Sequence, residues 1–443
     1  MLLKLLNTKL KSMKRINLQV IIIGVLTLLS GSIFAQSVTI SGEVRPRFEY
    51  RHGYKTLMPD GKDAASFISQ RTRLNAFYGN STFKFGLVVQ NVAVWGDVSQ
   101  LNKSSLNGTA IHQAWGQVFF SKKVSVKLGR QEIAYDDHRI FGNVGWAQQA
   151  RSHDAAIIMY RPSKEHKVDI GLAFNANGET LYKADYTGSY KSFQYLWYHG
   201  TFNKVGVSFL VLNNGVAYMD NSDTADIKQK VAYSQTIGPR VTYKNDAISF
   251  NAAFYYQGGK DKFNNSLSAM YFSANAAYKI SKKFSIGLGG EYLSGTTSED
   301  QAKADAKDKS FKPYYGTNHK FNGWMDYFYV GSYMFSNGLV DINLPLVLKV
   351  EKFTFKLIPH YFMAAAKVAV QTDGVWKDYS SGLGTEIDLA ISYAVTKNMV
   401  ISGGYSQMFA TETMQVLKGG NYKNTNNWAW VMVTFKPTFF SKK

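Results

Sequence analysis

The sequence predicts an all-β protein: a closed antiparallel transmembrane β-barrel of 18 strands that forms a monomeric pore and follows a cleaved signal peptide. Three observations predict it. Apolar and polar side chains alternate along the chain, tight turns alternate with long polar loops, and the N-terminus has the pattern of an export signal. The 443 residues include 28 Tyr and 29 Phe but only 8 Pro and no Cys. This composition favours strands and excludes a disulfide framework or a thiolate metal site.

The N-terminus predicts a Sec signal peptide over residues 1–35. Its first part is basic, an apolar run from Val20 to Leu29 follows, and Ala35 supplies the small residue at the cleavage point. The basic residues are Lys4, Lys9, Lys11, Lys14 and Arg15. An uncleaved N-terminal anchor is the alternative. The domains expected are therefore a leader, 1–35, and a barrel, 36–443.

Residues 38–51 show the strand alternation most clearly. Val38, Ile40, Val44 and Phe48 share one parity, and the other parity is largely charged. The charged positions are Glu43, Arg45, Arg47, Glu49 and Arg51. Because successive strand side chains point to opposite faces, one face is apolar and the other charged. This strand alone fits a soluble sandwich as well as a barrel whose apolar face meets lipid.

The connections decide between these folds. Eight tight turns alternate with nine long polar loops, which is typical of outer-membrane barrels and gives 18 strands if both termini are periplasmic. The loops expected are 52–65, 96–109, 134–152, 178–189, 214–230, 259–265, 296–337, 366–382 and 411–426. Gly323–Met334 is itself apolar enough for a strand, but placing it in the seventh loop keeps the count even; 16 strands is the nearest rival. Loop 3 (134–152) and loop 7 (296–337) are expected to fold into the lumen.

Residues 128–160 resemble the alginate export porins of bacterial outer membranes. The matching pattern is Gly129-Arg130-Gln131, the pair Asp137 and Arg139, Trp146, and the pair Arg151 and Asp154. Residues 89–97 add to it, and 318–327 with the C-terminal 435–440 resemble the Bacteroidota branch of that family. The resemblance implies an 18-stranded barrel in the outer membrane of a Gram-negative bacterium and an arginine-lined lumen that passes an anionic uronic-acid polymer.

Strand parity independently predicts a basic lumen. Closing the first hairpin at Arg51 and Ser66 places Arg45 and Arg47 next to Arg71 and Arg73, with Glu43 and Glu49 offsetting part of the charge. Lys84, Lys127 and Arg240 share the lumen parity. Since arginine stays ionised and grips carboxylates, a residual positive field would attract anions. The alternative is a mixed charge ladder facing an acidic loop 3, in a general or structural barrel without strong anion selectivity.

Arg130, Arg139 and Arg151 at or beside loop 3 admit two interpretations. They line a constriction together with Asp154, or they pin the loop by pairing Arg139 with Asp137 and Arg151 with Asp154. The two are compatible, because a pinned loop can still line a pore.

No enzyme activity or cofactor is expected. Asp136, Asp137, His138, His153 and Asp154 are metal ligands by type, but their spacing matches no known site. The net charge of +20 alone would suit nucleic acid, whereas an export signal argues against that partner. The partners expected are outer-membrane lipid and lipopolysaccharide, the barrel assembly machinery, and anionic sugars or small anions. Cargo identity and direction of transport stay open.

Overall fold

The computed structural model describes residues 36–101, 108–220, 227–303, 305–330 and 336–442. The predicted signal peptide lies outside the described residues. The strand segments are β1 Ser37–His52, β2 Ala65–Gly79, β3 Phe83–Val94, β4 Thr109–Phe119, β5 Val124–Gln131, β6 His153–Tyr160, β7 His166–Phe174, β8 Ser192–Phe202, β9 Val205–Asp220, β10 Lys228–Lys244, β11 Ile248–Lys260, β12 Ser266–Lys279, β13 Phe284–Leu293, β14 Leu339–Asn343, β15 Leu346–Val350, β16 Phe353–Met363, β17 Val368–Thr372, β18 Val375–Tyr379, β19 Gly382–Thr396, β20 Met399–Ala410, β21 Asn426–Phe435 and β22 Thr438–Lys442.

These segments make a barrel of 18 antiparallel strands, as predicted. The β17–β18 hairpin stands apart from the main sheet. β14 and β15 keep one register against β13 and β16 and form a single strand interrupted at Pro345, which has no N–H to donate. β21 and β22 are likewise one strand interrupted at Pro437. The rival count of 16 strands is therefore wrong.

The barrel closes between its first and last strands. β1 pairs with β2 along one edge and with β21 and β22 along the other. The Pro437 carbonyl accepts a hydrogen bond from the Gly42 amide at 2.9 Å, so the ladder continues across the proline. Closure leaves the sheet without an exposed edge, which a lipid environment requires.

The alternation expected from the sequence separates an apolar outer face from a polar lumen. On β12, Met270 and Phe272 are 47% and 51% exposed, whereas Tyr271 and Ser273 between and beside them are buried. On β1, Val44 and Phe48 face outward, while Glu43, Arg45, Arg47 and Glu49 are buried inside. A soluble protein would bury the first set, so this arrangement fits a barrel whose outer face meets lipid.

One end of the barrel carries the tight turns and the other carries the loops, here called the turn end and the loop end. All eight turns lie where they were expected. Loop 5, expected over 214–230, is much shorter, because β9 runs to Asp220 and β10 begins at Lys228. Residues 323–330 form no strand, which agrees with their assignment to loop 7; the end of Gly323–Met334 lies outside the described residues.

The described helices belong to the loop end. They are α1 Ser298–Gln301, a 3-10 turn Asn318–Lys320, and α2 Glu412–Lys418. Thr297 and Thr411 cap α1 and α2 by accepting a hydrogen bond from a first-turn amide. No helix in the described part of the chain is long and apolar enough to cross a membrane.

The core of the protein lies inside the barrel. Loop 3, which spans 132–152 between β5 and β6, and loop 7, which spans 294–338 between β13 and β14, fold into the lumen. Phe141 of loop 3 and Met325 and Phe328 of loop 7 are buried in the same cluster as wall residues such as Phe193 and Trp428. Both loops therefore pack against the inner face of the barrel wall.

Candidate pore constriction

Loop 3 crosses the lumen and is held first against strands β7 to β10. The hydroxyl of Tyr135 donates to Asp169 at 2.8 Å, and Asp136 accepts from the Trp197 indole at 3.0 Å. Asp137 lies 3.2 Å from the guanidinium of Arg240. Asp136 and His138 have positive φ angles of 52° and 71°, which give the tight bends that aim these side chains at different strands.

Arg139 fixes the middle of loop 3 to strand β13 of the wall. Its Nη2 donates to Glu291 of β13 at 2.7 Å and to Asn322 of loop 7 at 2.9 Å, and its guanidinium lies 4.5 Å from the ring centroid of Phe321. The expected pairing of the Arg139 side chain with Asp137 is wrong. Asp137 instead pairs with Arg240, because the loop carries Arg139 away towards a buried carboxylate.

Loops 3 and 7 are joined by their backbones. The amide of Gly142 donates to the Tyr315 carbonyl at 2.8 Å, and the amide of Tyr315 donates to the Ile140 carbonyl at 3.0 Å. The amide of Thr317 reaches the His138 carbonyl at 2.9 Å. These bonds form a short parallel β-bridge inside the lumen, which joins loops 3 and 7 into one packed unit.

A basic wall on β1 and β2 holds the returning half of loop 3. It comprises Arg45, Arg47, Arg71 and Arg73 with Glu43 and Glu49. Arg45 donates to the carbonyls of Gly145 at 2.7 Å and Trp146 at 3.0 Å, and Arg47 donates to Trp146 at 2.7 Å. Arg47 also lies 4.0 Å from the centroid of the Trp146 ring. Arg45 and Arg47 thus pin the loop through its backbone carbonyls.

The register of this wall differs from the expected one by one residue. Arg51 pairs with Ala65 and not with Ser66, so Arg45 lies directly opposite Arg71, and Glu43 opposite Arg73. Arg71 pairs with Glu43, and Arg47 with Glu49 at 2.8 Å. Arg73 differs from its neighbours: its Nε donates to the Gln90 side chain at 2.8 Å, and its Nη1 lies 3.8 Å from Glu132.

An acidic wall on β13, β14 and β19 holds loop 7. It comprises Glu291, Asp341, Glu386 and Asp388. Glu386 accepts from the amides of Trp324 at 2.5 Å and Met325 at 2.8 Å. His360 of β16 donates to or accepts from Asp341 at 2.9 Å and lies 3.7 Å from Asp388. The alternation placed Glu386 and Asp388 inside, but their partners lie about sixty residues away in the chain and were not foreseen.

Aromatic side chains complete the packing between the walls. Trp146 stacks on His319 of loop 7 with centroids 4.6 Å apart, and Trp430 of β21 meets it edge-on at 4.9 Å. The aromatic last strand is therefore divided: Trp428 and Trp430 face inward, while Val431 and Phe435 are exposed outside. Phe362 is fully buried against Phe328, with ring centroids 4.8 Å apart.

Arg130 and Asp154 do not line the lumen. They are paired across β5 and β6, 2.8 Å apart, and share the outward parity of the exposed Leu128 and Ile158. The prediction that they are pore-lining is wrong. β5 runs to Gln131 and β6 begins at His153, so both residues still belong to the wall and not to loop 3.

Lys84 and Lys127 have the lumen parity that was expected. Lys127 lies 4.0 Å from the centroid of the Trp115 ring, and Lys84 lies exposed near the turn end, 5.3 Å from that of Phe119. The five residues considered as metal ligands are not gathered at one point. Asp136, Asp137 and His153 are bonded to Trp197, Arg240 and Tyr190 respectively.

Arg151 lies at the loop end, in a cavity of about 270 Å³ between loop 3, loop 7 and strands β9 to β11. Its Nη1 donates to the Gly316 carbonyl at 3.0 Å, so the expected pairing with Asp154 is wrong. The lining residues are Arg151, Ser152, His153, Ser189, Tyr190, Asn214, Val216, Ser234, Lys260, Lys262, Lys312, Tyr314 and Tyr315. Of the four cations only Arg151 was predicted to line the pore; the lysines lie at the end of β11, in the loop after it and in loop 7.

Solved outer-membrane porins have a similar fold. Acinetobacter baumannii OccAB4 aligns with a TM-score of 0.60 at 11% identity over 92% of this chain and 99% of its own. A BenF-like porin from Pseudomonas fluorescens Pf-5 aligns at 0.58, with 11% identity over 91% and 99%.

Pseudomonas aeruginosa OccK2 (OpdF), solved in complex with glucuronate, aligns at 0.57, with 11% identity over 91% and 98%. The fold is that of the Occ porins. No family model and no curated protein sequence matches the chain, so the resemblance to alginate export porins stays a prediction.

Proposed function

We propose that the protein is a porin-type channel of a Gram-negative outer membrane that passes anionic solutes, such as uronic-acid oligo- or polysaccharides. The observation that carries the proposal is the different exposure of the two charged walls. Glu386 and Asp388 are fully buried behind loop 7, whereas the side chains of Arg51 and Arg73 are 32% and 10% exposed. The charge that meets lumen water at these walls is therefore mainly positive.

Pinning loop 3 does not neutralise the basic wall. A hydrogen bond to a backbone carbonyl satisfies a guanidinium donor, but the carbonyl carries no net charge. Five guanidiniums share three carboxylates here: Arg45, Arg47, Arg51, Arg71 and Arg73 with Glu43, Glu49 and Glu132. Because arginine stays ionised, the surplus persists at every physiological pH and attracts anions into the constriction.

Two further observations favour acidic sugars among the anions. The cavity at the loop end places four cations beside tyrosine side chains, a combination that suits a carboxylated, hydroxyl-rich ring. The similar barrel of OccK2 was solved with glucuronate, and the motifs of residues 128–160 resemble a family that exports a uronic-acid polymer.

The second candidate is a general or structural barrel without strong anion selectivity, whose loops serve as a binding surface. Loops 3 and 7 fill much of the lumen, and three of the four arginines of the basic wall are hydrogen-bonded to loop 3. A lumen so filled could conduct weakly or through a path remote from the basic wall.

Planar-bilayer recording separates the two. The refolded chain 36–443 is placed under a KCl gradient, and the reversal potential is measured. An anion channel gives a potential displaced towards the chloride equilibrium value and is blocked by oligouronates added to one side. A potential near zero or of cation sign favours the general barrel. Export by the Sec route, contact with lipopolysaccharide and insertion by the barrel assembly machinery remain parts of the proposal.

A further inference from the structure

The loop-end cavity contains two buried polar atoms that are left without partners among the described residues. Asn214 and His153 are 1% and 3% exposed, and both line the cavity. Tyr315 donates its hydroxyl to the Asn214 side-chain oxygen, but Asn214 Nδ2 has no acceptor. His153 Nδ1 lies 2.9 Å from the Tyr190 hydroxyl, and its Nε2 is unpaired. Buried polar groups are normally paired, so each of these calls for a partner in the cavity.

Cationic side chains from three segments of the chain line the cavity. Arg151 comes from loop 3, Lys260 and Lys262 from the end of β11 and the loop after it, and Lys312 from loop 7. No Asp or Glu is among the described lining residues. Lys312 pairs with the buried Asp308, while Lys260 is exposed and Lys262 is half-buried. An anion in this space would meet cations without facing a carboxylate.

Hydroxyl-rich ligands fit the remaining lining. Ser234 and Tyr314 are 2.8 Å apart through their hydroxyls, and Tyr190 bonds His153, so several groups can both donate and accept. Whichever ring nitrogen of His153 carries the proton, Nε2 is left for one hydrogen bond to a ligand hydroxyl. A bare inorganic anion would leave these acceptors unused.

We infer that this cavity is a binding site for one uronate unit of an acidic sugar, with the carboxylate between Arg151 and the lysines and the ring hydroxyls on Asn214 and His153. It rests on the proposed function and extends it. The channel binds its cargo at the loop end, at a site separate from the basic wall. A saturable site at one end makes block by oligouronates depend on the side of addition.

Side-specific block tests the site. Digalacturonate is added to either side of bilayers holding the full barrel 36–443, and its blocking constant is compared between the unmodified protein and the variant Arg151→Gln, Lys260→Gln, Lys262→Gln. We expect about tenfold weaker block from the loop end, the loss expected when a charge-assisted carboxylate contact is removed. The matched control is Lys282→Gln, Lys283→Gln, which removes lysines at the turn end and should leave the constant unchanged.

Other outcomes contradict the inference. Equal block by digalacturonate in the triple variant, or equal block of the unmodified protein by inorganic phosphate or by neutral glucose, would overturn it. If the triple variant fails to refold, Lys260→Gln with Lys262→Gln alone must still weaken the block. If the unmodified protein is anion-selective but the triple variant is blocked as strongly as it is, only this site is refuted. If the unmodified protein is not anion-selective, the proposed function is refuted.

Discussion

The guanidinium of Arg45 on β1 donates a hydrogen bond to the carbonyl oxygen of Gly145 in loop 3, with the two atoms 2.7 Å apart. This contact ties the first strand of the barrel to a segment 100 residues later in the chain. On β19, Glu386 accepts from the amides of Trp324 and Met325 in loop 7. Arginines of the basic wall thus hold loop 3 by its backbone carbonyls, and Glu386 of the acidic wall holds loop 7 by its backbone amides.

Replacing Arg45 should release loop 3. Arg45→Gln removes a cation that bonds four residues of loop 3, and we expect larger single-channel conductance with more open-state noise. The loss of charge-assisted bonds in a buried site should lower the free energy of unfolding by about 1.5–3 kcal/mol. Arg130→Gln is the control, since Arg130 bonds Asp154 and the Ile111 carbonyl on the wall and not loop 3. Unchanged conductance noise in Arg45→Gln would show that this contact does not hold the loop.

Replacing Glu386 should loosen loop 7. Glu386→Ala leaves the buried amide of Met325 without its acceptor, at a cost of about 1–3 kcal/mol, and leaves the amide of Trp324 with Asp388 alone. Hydrogen exchange at these amides should therefore become faster, while exchange in β19 itself stays slow. Glu412→Ala removes an exposed carboxylate on α2 and serves as control. Equally protected amides in both variants would refute the role of Glu386.

A charged side chain on the outer face, near the middle of the barrel, should destabilise the protein in a bilayer. Leu288 of β13 is exposed, yet it is expected to lie in lipid, so Leu288→Arg should cost about 2–4 kcal/mol in a bilayer. The measurement is the folded fraction after refolding into lipid vesicles at increasing urea. Leu181→Arg, a matched change in the exposed loop 4, should fold like the unmodified chain. Equal folding of both variants would contradict a lipid-facing β13.

Lys418 at the end of α2 should make stability depend on pH. Burial lowers the pKa of Lys418 to about 7, below its ordinary value of 10.5. Between these values the unfolded chain binds more protons than the folded one, so the contribution of this group to stability rises with pH from about 7 to 10.5. Lys418→Met should remove this rise in the unfolding temperature measured in detergent. A parallel pH profile in the variant would assign the rise to other groups.

Much of the fold could be predicted from the sequence, because strand alternation and turn placement are local properties. The lumen parity of Glu43 to Glu49 and the count of 18 strands follow from them. The register of strand pairing is less local. The predicted closure of the first hairpin is wrong by one residue and would place Thr72 opposite Arg45, where Arg71 lies. Arg130 and Asp154 were misplaced because they were grouped with the adjacent loop 3, although both share the outward parity of Leu128 and Ile158.

The pairings inside the lumen could not be read from the sequence. The carboxylates of Glu386 and Asp388 are inward by parity, but their partners are amides of loop 7, which any residue type can supply. Arg139 passes its neighbour Asp137 and reaches Glu291, 152 residues away, because the loop crosses the barrel. Such contacts depend on the path of two long loops, for which the sequence contains no periodic signal.

The most direct test of the account is the reversal potential of Arg73→Gln against Arg130→Gln in a planar bilayer under a KCl gradient. Both variants remove one guanidinium, but Arg73 faces the lumen and Arg130 faces outward beside Asp154. The account predicts an anion-selective unmodified channel, reduced selectivity in Arg73→Gln and unchanged selectivity in Arg130→Gln. Equal reversal potentials in all three proteins, or cation selectivity in the unmodified one, would contradict the claim that lumen-facing arginines set the ion selectivity.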